Sequence, residues 1–349
     1  MTIPANPVLK PSVEVLEASD GDIYLLRPHG ADVALRAPTP QARALIRALR
    51  DHRPVGDRSS LAPLAAAGLL TGSGTSSLLT GRQRRRYDRQ LHYFADALPA
   101  GVPREEAQVR LLESSVAVLG VGGLGTWAAA ALAQSGVGHL ILVDDDDVDD
   151  SNLNRQVLFA ESDLGRPKVD AAARRLEALN DEIRITALHA RLTSARDVAF
   201  AIAGADVVIA TADQPTDKIA TWIDDGCRAA GVPHVSAGQF PPKLRVGPFV
   251  IPGKTPGICC LYEQLRADEP LFDELMALRA SQRSVAATLA GASAVIGGLL
   301  ATEVLHHLTG IAQPATIGRS MTFDLTTFAA DSHALPTQRC RRCASAGSR

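Results

Sequence analysis

Asp144, Asp146, Asn152, Arg155, Gln156, Lys168 and Asp213 are the residues of this chain whose types and spacing could do chemistry together. Acids, amides and cations in this order can hold a nucleoside triphosphate. The cations neutralise charge that develops at an attacked phosphorus, and a carboxylate places Mg²⁺ on the departing pyrophosphate. The reaction this describes is attack of a carboxylate on the α-phosphorus of ATP, giving an acyl-adenylate and pyrophosphate. It works by positioning and electrostatics and needs no nucleophile from the protein.

The elements that must position these residues are legible around them. Val116–Leu119 is a short apolar run of the kind that forms a buried parallel strand. Gly120, Gly122, Gly123 and Gly125 make a tight turn, an alanine-rich helix follows, and a second apolar run, Leu140–Val143, ends in acids. This is a βαβ unit with a phosphate-type turn at the first helix N-terminus. Gly-Val-Gly-Gly-Leu-Gly satisfies G-x-G-x-x-G, which equally marks a dinucleotide-binding fold, and Asp144 stands where a ribose-binding acid would. Ser151-Asn-Leu-Asn-Arg-Gln156 and Lys168 separate the readings, because hydride transfer has no use for them. Asp213 closes the apolar run Val207–Ala212, at the carboxyl edge where such sheets bind ligands.

Further strand-like runs at 183–189, 207–211, 234–237 and 245–251, with helical segments between the earlier ones, predict an α/β fold. Its core is a Rossmann-like, doubly wound, mainly parallel sheet. Residues 284–309 read as a long Ala/Gly-rich helix for packing or dimerisation. Upstream, residues 11–37 alternate apolar and polar, with turns at Asp20-Gly21 and Gly30–Asp32, and predict a three-stranded meander. Thr39 and Pro40 open a helix. A second helix is expected over 60–70, and Thr71–Ser77 reads as a linker. The organisation expected is a β-β-β-α-α, winged-helix-like module over 1–78 and a larger α/β domain over 79–349.

The chain has 349 residues, 46% hydrophobic residues and a net charge of −2, so no global charge steers it to nucleic acid or a membrane. No signal peptide or membrane-spanning run is apparent, which places it in the cytoplasm. Five cysteines in that compartment argue against a disulfide framework. Cys340-x-x-Cys343 has zinc-knuckle spacing, and Cys227 reads as packing. The run Arg82–Arg86 reads as a solvated helix start rather than a nucleic-acid patch. In the run Asp144–Asp150, two acids are expected to function and the others to be solvated.

Arg86-Tyr-Asp-Arg-Gln90, the glycine turn, Asp144-x-Asp146, Ser151–Gln156, Gly165-x-Pro-Lys-Val169, Thr211-Ala-Asp213, Val232-Pro-x-Val-Ser236 and Cys340-x-x-Cys343 occur in that order. With them the chain resembles the ubiquitin-activating-enzyme-like adenylyltransferases, the ThiF/MoeB/HesA family, over nearly all of 85–345. The resemblance implies ribose binding by Asp144 and Asp146 and phosphate contacts by Asn152, Arg155 and Lys168. Gln156 lines the same pocket, and Asp213 holds Mg²⁺. Arg89 reaches the ATP of a partner subunit, so the active unit is a homodimer. It also implies a structural Zn²⁺ held by two Cys-x-x-Cys pairs. Here the first pair is altered: Cys260 matches, but Gly257 stands at the other position, leaving Cys259 to replace it or the thiols free. No cysteine occurs between 261 and 283, where thioester-forming relatives carry one.

The N-terminal module resembles the leader-peptide clamps of enzymes that modify ribosomally made peptides, which bind a peptide as an added strand. The whole chain is similar to the peptide adenylyltransferases of the microcin C type, which implies a ribosomal precursor peptide as substrate. Three other readings stand beside it. The enzyme could activate a ubiquitin-like sulfur carrier, the protein could present a leader peptide as a scaffold in azoline-forming pathways, or the module could be a dimerisation appendage.

Overall fold

A computed structural model of the chain describes all residues except 1–2, 5, 29–30, 57, 73–77, 100–101, 282–286, 337–339, 341–342 and 344–349. Two compact units divide after Arg110.

The first unit holds β1 (Pro7–Leu9), β2 (Glu14–Glu17), β3 (Ile23–Leu26), β4 (Val33–Leu35), α1 (Pro40–Arg50), α2 (Ala62–Ala66), β5 (Leu70–Gly72), α3 (Gly81–Arg86) and α4 (Asp88–Ala97); α5 (Arg104–Glu113) runs across the division. The meander forms as expected: β3 pairs antiparallel with β2 on one side and β4 on the other, leaving β2 and β4 as edges. Thr39 caps α1 through its side-chain oxygen, with Pro40 in the first turn. Ile23, Leu25, Ile46, Leu49, Leu61 and Leu70 make the core beneath the sheet.

The expected second helix over 60–70 is corrected. After a short 3₁₀ turn it spans only Ala62–Ala66. Gly68 adopts a φ of 70°, which turns the chain out of the helix and sends Leu70–Gly72 into a strand paired with β1. Thr71 and Gly72 are therefore strand rather than linker, and the rest of that linker, 73–77, lies outside the described residues, as does the Gly30 turn. Lys10 Nζ donates to the carbonyls of Asp96 and Leu98 at 2.8 and 3.0 Å, so α4 belongs to this unit.

The second unit holds β6 (Ser115–Leu119), α6 (Gly123–Ser135), β7 (His139–Asp144), α7 (Lys168–Leu179), β8 (Arg184–His189), α8 (Ala195–Ala201), β9 (Val207–Ala210), α9 (Ile219–Ala230), β10 (His234–Phe240), β11 (Lys243–Val250), α10 (Ile258–Asp268), α11 (Phe272–Ser281), α12 (Ala290–Thr309), β12 (Arg319–Asp324) and β13 (Ala330–Ala334). Eight strands form one sheet in the order β13-β12-β11-β10-β9-β6-β7-β8. The five from β10 to β8 are parallel, and β11, β12 and β13 add antiparallel.

Both faces of the parallel part are covered, which is why β6 and β9 are buried at every residue and read as continuous apolar runs. On one face Ala117, Leu119, Ile141, Val143 and Val208 pack against Val198 of α8 and Ile219, Ile223 and Cys227 of α9. On the other, α12 lies along α6. A Cβ on Gly297 would sit 2.4 Å from Trp127 Cβ, so this glycine sets how closely the two helices approach. The architecture is a Rossmann-like, mainly parallel α/β fold, with a small β-rich module ahead of it. No helix among the described residues is long and apolar enough to cross a membrane.

Candidate active site

The glycine turn joins β6 to α6 by close approach. Gly120 has a φ of 94°, and a Cβ there would lie 2.5 Å from the Ala212 nitrogen on the neighbouring segment. A Cβ on Gly125 would lie 2.0 Å from the Gly120 carbonyl oxygen. Thr211 Oγ1 donates to that same oxygen at 2.7 Å, tying the end of β9 to the turn. Gly122 is different, because nothing lies within 4 Å of a Cβ built there. The turn is thus packed below and open above, at the helix N-terminus where anions bind.

Asp144 ends β7 beside the turn. One carboxylate oxygen accepts the Val121 N–H at 2.6 Å and the other accepts the Asp146 N–H at 2.9 Å. Burial raises its pKa, against the opposing pull of Lys168. Gly165–Lys168 folds back along Asp146–Val148: Gly165 donates to Val148, Val148 to Arg166, and Lys168 to the Asp146 carbonyl. This return carries Lys168 to the start of α7, where its buried Nζ donates to Asp146 Oδ2 at 2.6 Å. The Asp146 side chain is 67% exposed, so the pair opens to solvent at the acid and is enclosed at the lysine.

The segment 149–156 opens with a 3₁₀ turn, Asp150–Asn152, capped by Asp149, and holds its own polar groups. Asn152 is buried, and its Oδ1 accepts the Asp149 N–H at 3.2 Å. Arg155 Nη1 donates to the Ser151 carbonyl at 2.5 Å and to Asn154 Oδ1 at 3.0 Å. Its stem passes 3.7 Å from the Cβ position of Gly123. Gln156 is buried, and its Oε1 has no hydrogen-bond partner among the described residues. An orphan buried acceptor costs about 1–3 kcal/mol, which a donor on a bound ligand would recover.

Asp213 follows β9. Its side chain opens to solvent, yet the protein packed about the site raises its pKa through desolvation, and Asp146 adds repulsion while Lys168 and Arg155 oppose. Asp213, Asp146, Lys168 and Arg155 therefore share one electrostatic field. The repulsion that Asp146 exerts on Asp213 leaves a place where a divalent cation is favourable. Asp145 and Asp146 are exposed while Asp144 is partly buried. Arg89 lies in the first unit, on α4; its side chain is 96% exposed and stands 3.8 Å from Asp88.

A model of the ThiF family matches residues 87–344. The chain belongs to this family. It is 36% identical over 241 residues to the sulfur carrier protein ThiS adenylyltransferase of Escherichia coli K12, a match covering 68% of this chain and 86% of that protein. The crystal structure of E. coli MccB with AMPCPP and MccA superposes with a TM-score of 0.74 at 22% identity, over 97% of this chain and 98% of that one. The crystal structure of PaaA superposes with a TM-score of 0.72 at 25% identity, over 93% and 99%. The protein is an adenylyltransferase, and its family uses ATP and Mg²⁺.

This ThiF-family chain carries a second constellation in the same unit. Cys259 and Cys260 open α10, and Cys340 and Cys343 come from the C-terminal segment. Cys259 Sγ lies 3.1 Å from the Sγ of both Cys340 and Cys343, and Cys260 Sγ lies 3.5 Å from that of Cys343. All four sulfurs fall within 4.8 Å of one another. Thiolates around a tetrahedral ion at about 2.3 Å would stand roughly 3.8 Å apart, so the donor set fits one zinc ion. The Gly257 and Cys340 N–H groups donate to Cys343 Sγ and Cys260 Sγ at 3.2 and 3.4 Å.

Gly257 has no room for a ligand. A Cβ there would lie 2.8 Å from Asp224 Oδ1 and 3.1 Å from Cys343 Sγ. Behind it, buried Asp224 pairs with Arg228 and lies 3.5 Å from His234 Nε2. Sequence reasoning missed this charged network, as well as Ser293, whose Oγ accepts from Gln239 and sits 3.1 Å from the Cβ position of Gly123. Both depend on contacts between residues distant in sequence and carry no local signal.

Proposed function

We propose that the enzyme adenylates the C-terminal end of a ribosomally made peptide, in the manner of microcin C-type peptide adenylation. The observation that carries this reading is the reach of the likeness to MccB, which spans 97% of this chain and so takes in the small N-terminal unit. That unit offers two unpaired sheet edges, β2 and β4, to which an extended peptide can add. The identity to the sulfur-carrier enzyme favours a second reading, activation of a ubiquitin-like sulfur carrier.

In the reaction, a peptide carboxylate oxygen bonds to the α-phosphorus, and the bond from that phosphorus to the β-bridging oxygen breaks and releases pyrophosphate. Lys168 and Arg155 neutralise the phosphates, and Lys168 exchanges Asp146 for phosphate oxygen as ATP enters. Asp144 and Asp146 hold the ribose, and Asn152 and Gln156 line the pocket. The open backbone at Gly122 admits the phosphates. Asp213 would hold Mg²⁺, which would supply charge neutralisation at the leaving pyrophosphate. Arg89 acts on the γ-phosphate in the partner subunit of a homodimer. Cys259, Cys260, Cys340 and Cys343 hold a structural Zn²⁺.

The test is pyrophosphate release with ATP, Mg²⁺ and the short peptide encoded nearest the gene, with products read by mass spectrometry. AMP added to the peptide, or water lost from it, supports the proposal. Release only with a carrier ending in Gly-Gly selects the sulfur-carrier reading, and peptide binding without release selects a scaffold.

A further inference from the structure

Arg245 is a half-buried cation that the candidate nucleotide site does not use. It lies on β11, and its Nε is enclosed without a hydrogen-bond partner. Among the described residues no carboxylate pairs with it. Burial lowers its pKa, and the Tyr262 phenol acts in the other direction. A guanidinium so placed without a counter-charge is unfavourable unless a ligand supplies one.

The sheet registers show where Arg245 stands. β10 pairs Ser236 with Ala210 of β9 and Gly238 with Arg245 of β11. Continuing the parallel register, Gly238 is level with residue 212, next to Asp213. Arg245 is one strand further, on the order of 10 Å from that level at the usual interstrand spacing. It thus lies on the far side of Asp213 from β7, whose acids meet Lys168.

The missing side chain at Gly238 shapes the surroundings. A Cβ there would meet the Phe240 ring at 3.0 Å and Arg245 Nη2 at 3.8 Å, so the guanidinium and the ring share the space a side chain would fill. Phe240 is 50% exposed, and the Arg279 guanidinium stands 5.9 Å from its ring centroid. Arg279 also meets no acid among the described residues. A half-exposed ring between two unpaired arginines suits an anion with an apolar neighbour.

We propose that this notch receives the C-terminal carboxylate of the acceptor substrate, with Arg245 as its cation and Phe240 against the terminal residue. The inference rests on the reading that the acceptor is a carboxylate. Phosphate is the less suited anion, because the phosphate-binding cations lie on the other side of Asp213.

The probe is trifluoroacetate, followed by ¹⁹F line broadening on the full chain with the nucleotide site filled by an α,β-methylene ATP analogue and Mg²⁺. Saturable broadening is expected for the wild type. It should weaken at least tenfold in Arg245→Gln and change less than about threefold in Arg245→Lys, which keeps the charge. Equal broadening in wild type and Arg245→Gln, or none in either, overturns the proposal. Should the glutamine variant not fold, phenylglyoxal modification of the wild type decides. Trifluoroacetate should slow modification of Arg245, located by mass mapping, and an unchanged rate overturns the proposal. Pyrophosphate release is absent from these readouts. Carboxylate binding here without peptide activation would keep the notch and remove only the peptide substrate.

Discussion

The nucleotide site and the cysteine cluster occupy the same unit and are built on opposite plans. The first gathers charged groups from strand ends and a return loop, leaves Asp146 and Asp213 open to solvent, and holds its cation with an exchangeable acid. The second gathers four sulfurs from two distant segments, buries Cys260 and Cys343, and backs them with a buried Asp224–Arg228 pair. One arrangement leaves its charged groups free to exchange partners, and the other packs its groups against one another. The contrast teaches that a cluster of reactive side chains is a site of turnover where its groups remain exchangeable, and a structural element where they are locked.

The sharpest break in this contrast is at Asp213. Asp213→Ala should lower pyrophosphate release by about a hundred- to a thousandfold, the scale of losing an electrostatic stabiliser. Its melting temperature should stay within about 2 °C of wild type, since an exposed carboxylate repelled by Asp146 contributes little to stability. A large melting shift would place Asp213 on the structural side.

The cysteine cluster should behave in reverse. Cys343→Ser, or chelation, should lower the melting temperature by about 5 °C or more. Metal analysis of the wild type should return about one zinc per chain. Metal-free protein with wild-type melting would remove the zinc reading.

The two glycines of the turn sharpen the contrast within one loop. Gly125→Ala, pressed on the Gly120 carbonyl, should destabilise by about 3 kcal/mol, in the range for overpacking. Gly122→Ala, with open space about it, should cost about 1 kcal/mol or less and instead weaken ATP binding. Denaturant melts and nucleotide titrations of both variants check the split.

The smallest effects are in pH. The Asp213 carboxyl sits above its ordinary 3.8, so the acid limb of activity should lie above that value and move to lower pH as Mg²⁺ is raised. His234 runs the other way: burial lowers its pKa to about 4 from 6.5. An unfolded chain takes up that proton below 6.5 and the folded one only near 4, so its share of stability is lost as pH falls through that window. Melting curves from pH 7 to 4 should show the slope, and His234→Asn should flatten it.

Much of this was legible in the sequence where structure is local. The runs Val116–Leu119 and Val207–Ala210 are buried on both faces and must be apolar throughout, and the glycine turn carries its own spacing. Thr39-Pro40 marks a helix start by chemistry alone. The pairing of β1 with β5 was not legible, because two three-residue strands some sixty positions apart carry no periodicity. β13 is exposed along its length and lacks an apolar face to announce it. In the site, residue types singled out the candidate nucleotide groups, but the Lys168–Asp146 pairing comes from the backbone return at 165–168. Position 257 has no room for a side chain because Asp224 and Cys343 crowd that glycine, a tertiary fact with no trace in spacing.

The contact between Cys259 and Cys340 joins positions 81 residues apart. It closes a loop of chain that contains α12, the helix lying against α6 and the glycine turn. Bringing the two ends of that loop together on folding costs chain entropy that grows only logarithmically with its length. The contacts of Cys340 and Cys343 therefore bear on a helix distant from them in sequence. Removing the segment from Cys340 onward should loosen α12 before it disturbs any strand, and amide exchange along that helix would register the release.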